Sequence, residues 1–511
     1  MTGHLKSTCG PRVTISPVTL ALALALGAGW FGFPGLLWDV AWHRTIGRDT
    51  FFSPPHALMY TGVAANGLVS AWAVVWGRRR YGAPAGFTLG GVGFLLAVFG
   101  AVLDEWWHTN VGKDVNLWSP PHLVGLAGTV LIAVGLVFAL ARHTRYGLEP
   151  GWWAPRVLLL FGFADLIHKS TVALDHYTLD AWGRTPDFYP FLLALLLPAI
   201  LVTAVRALGA GAAAGAAVLF TVQHVLILLV LLAFEMRVPT FTPIPILPAL
   251  ALDVAVAAFA ARRASAAAAV VAGVAFVLVL YAQETVWMAW TVARPWDLAR
   301  VLAAVPAVML TAIGSAWVGW VLGTLLANAA EARPVAEAFR SPQRTRAAVA
   351  VMLALVAVGL VAAYRPSRAE PPASVAALGL APDTDFDYRD AVFWEALLPD
   401  DWRGPGTHRA YQEAIVDGHG IPVGPAWCAR DAATLQRELA TVRFGLAING
   451  EPVDLARYPR TRRRLRDGAL CEWVGVSVVS PRPGFQELVY TLDRESRPPS
   501  RITVQLRVKE P

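Results

Sequence analysis

Two stretches of the chain carry the same metal-capable side chains in the same order: Asp39, Trp42, His43 and Ser53-Pro54-Pro55-His56, then Asp104, Trp107, His108 and Ser119-Pro120-Pro121-His122. An Asp four residues before a His puts carboxylate and imidazole on one helical face, one turn apart, where both reach a single ion. The second His of each set lies beyond a loop ending in Pro-Pro and opens the next helix. Carboxylate and imidazole hold borderline divalent metals without thiolate, so a doubled set at a membrane edge reads as an intramembrane metal centre. The competing reading is a pair of polar helix ends, with Asp and His capping backbone groups and Trp anchoring the interface. Repetition favours the shared chemical role.

The elements that position these residues follow from composition. Of 511 residues 56% are hydrophobic and the mean hydropathy is +0.50, above the ~45–50% apolar content of soluble domains. Apolar runs long enough to cross a ~30 Å hydrocarbon core predict about eleven spans between Val18 and Ala363. They are placed at 17–40, 54–77, 85–108, 120–142, 153–175, 187–206, 212–235, 243–261, 266–292, 298–326 and 346–364. The fold expected is an all-α polytopic membrane bundle over residues 1–365, with a C-terminal β-sandwich outside the membrane over 366–511.

Lys and Arg set orientation. Lys6 and Arg12, Arg78-Arg79-Arg80, Arg142 with Arg145, Arg206, Arg262-Arg263, and Arg333, Arg340, Arg344 and Arg346 fall on alternate loops, which the positive-inside rule makes cytoplasmic. The N-terminus is then inside a cell membrane of cytoplasmic type, and both His motifs face outward. The first span resembles a signal peptide at its start but runs on through Trp30 to Trp38 without a small-residue cleavage site, so it is read as an anchor. The net charge of +7 comes largely from inner loops and the run Arg460 to Arg466 and does not argue for nucleic acid.

After Arg365 a Pro-rich linker (Pro366, Pro371, Pro372) leads into a polar stretch of ordinary domain length. Its two cysteines, Cys428 and Cys471, are expected to pair in an oxidising compartment, leaving Cys9 alone on the inner side. Val442 to Ile448, Trp473 to Val479, Glu487 to Leu492 and Ile502 to Val508 alternate as strands, with Asn449-Gly450 as a turn. Asp401, His408 and His419 read as solvated loop residues. The domain lacks the His/Cys/His/Met grouping of a blue-copper centre.

Read with its interior, the first motif is Asp39-x3-His43-x12-His56 enclosing Arg48-Asp49-Thr50-x-Phe52-x-Pro54. This resembles the metal-binding segment of the C subunit of the copper membrane monooxygenases, the particulate methane and ammonia monooxygenase family. The likeness extends to Trp42, the Arg-Asp-Thr run, Phe52 and Pro54. The second motif, Asp104-Glu105-Trp106-x-His108-Thr109-x12-His122, is similar to a later segment of that family, where Asn usually stands at the place of Asp104. The resemblance covers residues 30–130. It implies metal ligation by Asp39, His43 and His56 and by Asp104, His108 and His122. Copper is the metal implied, with iron and zinc as alternatives. Family enzymes are built from three kinds of subunit, which leaves open a homo- or hetero-oligomer here.

The residue chemistry agrees. Two His and one carboxylate leave coordination positions open for O2, whereas structural sites are closed by four protein ligands. Apolar surroundings shield a reactive oxygen species from water and suit a small apolar substrate. Arg48, Asp49 and Glu105 are candidates to orient the ligands. Asp165, His168, Asp175 and His176 form a candidate third cluster on intramembrane grounds. His224, Glu235 and Gln283-Glu284 suit interhelical hydrogen bonds, proton delivery or a quinol pocket. Trp106-Trp107 and Trp118 read as interface belts, and the Ala/Gly-rich stretches at 207–217 and 264–272 as close packing or loop-to-helix entries. The leading expectation is a membrane-embedded copper monooxygenase hydroxylating a small apolar or ammonia-like substrate with O2 and a reductant such as quinol. The alternative is a non-catalytic protein for metal handling, assembly or transport. A haem-bearing quinol oxidoreductase would need axial His pairs deep in facing helices, and the motif histidines sit at helix ends.

Overall fold

The computed structural model describes residues 17–45, 51–77, 85–110, 113–114, 119–146, 154–177, 185–236, 244–260, 265–291, 296–329, 350, 354, 374–384, 406–415, 420–464, 469–480, 482, 484–494 and 497–509. Among the described residues, ten helices of the first region have full bounds: α1 (Pro17–Thr45), α2 (Pro54–Trp72, continued by a π turn, Ala73–Gly77), α3 (Ala85–Asn110), α4 (Pro120–Tyr146), α5 (Ala154–Tyr177), α6 (Phe188–Leu208), α7 (Ala212–Ala233), α8 (Ile246–Ala260), α9 (Ser265–Thr291) and α10 (Leu298–Ala329). They coincide with the first ten expected spans. Eight are long and apolar enough to cross a membrane. The other two are α5, which carries Arg156, Asp165 and Lys169, and α8, which has 15 residues. The expected span at 346–364 falls on residues outside those described, apart from 350 and 354.

Small residues set the tightest helix contacts. Helices α3 and α4 meet along Gly86/Gly135, Gly93/Gly128 and Gly100/Gly125; a Cβ on Gly93 would stand 2.6 Å from the Gly128 carbonyl oxygen, and one on Gly100 would stand 2.5 Å from the Gly125 nitrogen. With lipid on both sides, such close approach is what drives helix association. Helices α1 and α2 cross in the same way at Gly32/Gly62, and a Cβ on Gly35 would meet the Pro55 carbonyl. Gly100→Leu is therefore expected to wedge α3 from α4 and disturb the second motif while sparing the first, which metal content resolved by site-selective substitution would register.

Elsewhere polar groups close backbone gaps that an apolar core leaves open. Pro198 interrupts α6, and the Ser315 hydroxyl of α10 fills the break by donating to the Leu195 carbonyl (2.8 Å) and accepting from the Ala199 N–H (3.0 Å). Asp253 of α8 accepts from the N–H groups of Gly211 (3.1 Å) and Ala214 (2.8 Å), capping the start of α7 from a neighbouring helix.

The C-terminal region holds a short helix α11 (Val375–Leu378), a helix α12 (Ala432–Thr441) and strands β2 (Leu380–Pro382), β3 (Gly406–Ile415), β4 (Ile421–Pro422), β5 (Ala426–Ala429), β6 (Val442–Ile448), β7 (Glu451–Val453), β8 (Arg460–Arg464), β9 (Leu470–Val474), β10 (Val476–Val478), β11 (Gly484–Arg494) and β12 (Arg497–Lys509). Strands β2-β10-β4 and β5-β9-β8 form two small antiparallel sheets. The largest sheet is mixed, because β3 runs parallel to β12, so the region is a set of small sheets and not a plain two-sheet sandwich. Alternation builds the core: Ile502, Val504, Leu506 and Val508 of β12 are buried on one face with Leu488, Tyr490 and Leu446. Asn449 (φ 53°) and Gly450 (φ 83°) make the hairpin turn read from the sequence. The single strand expected over 473–479 is broken at Gly475, where a Cβ would collide with the Asp383 carbonyl. The described part of the basic run, Arg460–Arg464, is edge strand β8, where Arg460 and Arg462 share the carboxylate of Glu472. Cys428 and Cys471 form the expected disulfide.

Among the described residues, a strand pairing joins the two regions. The two-residue strand β1 (Lys113–Asp114), in the loop between α3 and α4, pairs in parallel with Ala410 and Tyr411 of β3 and extends the largest sheet. The loop of the second motif and the C-terminal sheet therefore share backbone hydrogen bonds.

Candidate functional site

Each motif folds as a hairpin whose second helix begins identically. Ser53 and Ser119 precede Pro-Pro, whose missing N–H groups cost nothing in a first helical turn. The Ser53 and Ser119 carbonyls accept from the Ala57 and Leu123 N–H groups at 2.8 and 3.0 Å. This start aims His56 and His122 back across the hairpin. His56 Nε2 lies 3.3 Å from Asp39 Oδ1, and His122 Nε2 lies 3.1 Å from Asp104 Oδ1. The sequence doubling is thus a doubling in space, with one carboxylate–imidazole contact per hairpin.

These separations suit ligands of one ion. Two donors bound at about 2.0–2.2 Å and subtending 90–110° stand about 2.9–3.5 Å apart. They equally suit a direct N–H···O bond. His122 Nδ1 is 2.9 Å from Ser119 Oγ. When Nδ1 carries the proton and donates to Ser119, Nε2 presents a lone pair beside Asp104; when the hydroxyl donates, Nε2–H points at the carboxylate. His56 instead rests on Tyr60, with ring centroids 5.7 Å apart, and Tyr60 lies against Phe51 at 5.1 Å. The side chains in the first contact are 18% and 15% exposed, those in the second 26% and 23%. Both pairs are thus partly exposed.

His43 and His108 are carried on α1 and α3 one turn beyond Asp39 and Asp104; their side chains, with Arg48 and Asp49, lie outside the described residues, as do the side chains of Asp175 and His176. Glu105 is exposed on α3. Among the described residues, no three His, Cys, Asp or Glu side chains converge. The two hairpins share one end of the bundle: Leu126, one turn after His122, packs with Leu36, Trp38, Leu37 and Ala41 around Asp39 on α1.

The third cluster is arranged differently from a ligand set of Asp165, His168, Asp175 and His176. Asp165 Oδ2 is bound by Lys169 at 2.7 Å, and both lie against Gly29. The ring of His168 faces His224 of α7. The sequence offered no sign of that partner, and none for the aromatic wall of Trp30, Phe33 and Phe220 beside it. Gln283 donates to the Ile244 carbonyl (2.8 Å), two residues before α8, and to the adjacent Glu284 (3.3 Å). His408 lies on β3 opposite Ile502; Asp401 and His419 fall outside the described residues. Comparison with protein-family models finds no match to this chain, and comparisons with curated proteins and with solved structures find none either.

Proposed function

We propose that this chain is an integral-membrane, metal-dependent monooxygenase-like protein whose helix-end carboxylate–imidazole sets hold copper. Its substrate would be a small apolar or ammonia-like molecule, hydroxylated with O2 and a reductant such as quinol. The observation that supports this most is the recurrence of one contact, Asp39 with His56 and Asp104 with His122, at one end of two hairpins. A capping role explains either pair alone. It does not require the same Ser-Pro-Pro-His start, the same kind of partner and a similar distance twice.

The donor set fits a borderline metal. Each pair contributes one anionic oxygen and one imidazole nitrogen, and His43 and His108 are placed by their helices on the same faces. Bound copper would supply one-electron chemistry and O2 activation, which side chains alone lack. The residues themselves do three things. Asp39 and Asp104 offset the charge of a cation at the membrane edge, Ser119 orients the His122 ring through Nδ1, and Phe51 and Tyr60 place an apolar wall beside His56. The extended likeness of residues 30–130 to the monooxygenase C subunit, argued from sequence alone, supports the same reading.

The partial exposure of both pairs favours a second reading, a protein that binds and passes metal without turnover. Purified chain assayed for metal and for O2 uptake separates the two. Retained copper with O2 consumption only when reductant and a small apolar substrate are both present is the expected result. Rapid exchange of metal with no O2 uptake under any substrate would favour the handling role.

A further inference from the structure

Helices α1, α5 and α7 enclose a second histidine constellation deeper in the bundle. His168 and His224 are both fully buried. Their ring centroids are 6.4 Å apart with planes 20° from parallel. Phe33 and Phe220 stand 4.2 and 4.6 Å from the His168 centroid, and Trp30 meets it edge-on at 5.8 Å. Neither nitrogen of His168 has a hydrogen-bond partner of ordinary geometry, although the Phe220 backbone is close by. Asp165 Oδ1 and Gln223 Oε1, on the same two helices, are likewise buried without one. The two oxygens and one nitrogen of the neutral His168 ring can each donate an electron pair, the other nitrogen carrying the ring proton.

The spacing discriminates between occupants. Imidazoles joined by a direct N–H···N bond have centroids about 5 Å apart. An ion held by one nitrogen of each ring at about 2.0 Å, near-linearly, sets the centroids about 6.2 Å apart. The observed 6.4 Å is too long for the first and leaves room for the second. Two neutral imidazoles bring no charge, and Asp165 is balanced by Lys169, so a dication would stay uncompensated in a low-dielectric core while a monocation is far less costly. Imidazole selects transition metals over alkali ions, and a monovalent d10 ion accepts two ligands.

We propose that His168 and His224 form an intramembrane site for one monovalent copper ion, separate from the helix-end pairs. Phe33, which touches His168, precedes Asp39 on α1 by about 9 Å of helix, six residues at about 1.5 Å each. The site is therefore deeper than the helix-end pairs and independent of their carboxylates.

The test uses the full chain in detergent, made Asp39→Ala, Asp104→Ala, His56→Ala and His122→Ala to silence the helix-end pairs. It is titrated anaerobically with Cu(I) against a chromogenic Cu(I) chelator. One tightly bound equivalent is expected, with an X-ray absorption edge of near-linear two-nitrogen coordination. His168→Phe or His224→Phe, which keep aromatic volume, should weaken that binding by at least about 100-fold, the upper end of what losing an outer partner of a metal ligand costs. No binding by the silenced chain, or undiminished binding by both Phe variants, overturns the proposal. Should the Phe variants misfold, the silenced chain's spectrum decides, since three or more ligands or any sulfur ligand also overturns it. Copper lost only from the helix-end variants would leave the proposed function standing and remove this site; copper lost only from the Phe variants would do the reverse.

Discussion

Asp39→Asn is expected to strip the first hairpin of metal while leaving its helices in place, and Asp104→Asn to do the same at the second. Asn keeps the size and one acceptor oxygen of Asp, so a hydrogen bond from His56 or His122 survives. What disappears is the anionic ligand. If the contacts of 3.3 and 3.1 Å are helix-end clamps alone, the Asn variants should match the parent in both stability and metal content. If they are halves of metal sites, affinity at the altered hairpin should fall by about 100-fold or more. Single variants should then retain about half of the helix-end copper and the double variant none. Equal copper in the parent and the double variant would sink the metal reading.

The same pair of substitutions tests how far the hairpins resemble each other. The Ser119 contact with Nδ1 holds His122 in one orientation, whereas His56 leans on Tyr60. Ser119→Ala should thus lower affinity at the second hairpin only, by about 10-fold, in the range of lost outer hydrogen bonds. Copper titration in the Asp39→Asn background isolates that effect.

Local pattern made part of this arrangement legible. Ten helices follow from apolar runs, and the motifs stand out because Asp, His and Pro-Pro interrupt them. Sequence spacing emphasises the pair one turn apart, Asp39 and His43. The described contact is instead to His56, 17 residues on from Asp39, and it depends on how closely the hairpin shuts at Gly32 and Gly62. No local period encodes that closure. His168 and His224 fail to announce each other for the same reason, since α5 and α7 are brought together only by the bundle. In the C-terminal region β6, β11 and β12 are long enough to show alternation. Strands β2, β4, β5 and β7 have two to four residues, too few for a period of two to rise above chance. Helix α12 did carry a signal: Asp431 caps it by accepting from the Thr434 N–H at 2.9 Å, and Leu435 and Leu439 lie four residues apart on its core side.

Removing the Cys428–Cys471 disulfide is expected to be the most destabilising single change in the C-terminal region. The two residues face each other directly in the β5–β9 register and are buried at 7% and 0% exposure. Their separation of 43 residues corresponds to a chain-entropy contribution of ~4 kcal/mol, a large share of the ~5–15 kcal/mol that holds a typical domain. Cys428→Ala with Cys471→Ala should lower the unfolding midpoint of this region, followed through the fluorescence of Trp427 and Trp473, which lie on the same two strands. The loss should also be felt at one hairpin only. Strand β1 joins the α3–α4 loop to β3, whereas the loop of the first motif shows no such pairing among the described residues. Loosening the sheet therefore frees the chain between His108 and His122 and should weaken metal binding at the second hairpin before the first. An unchanged unfolding midpoint, or equal copper loss from both hairpins, would show that the disulfide does not brace the sheet or that the sheet does not brace the site.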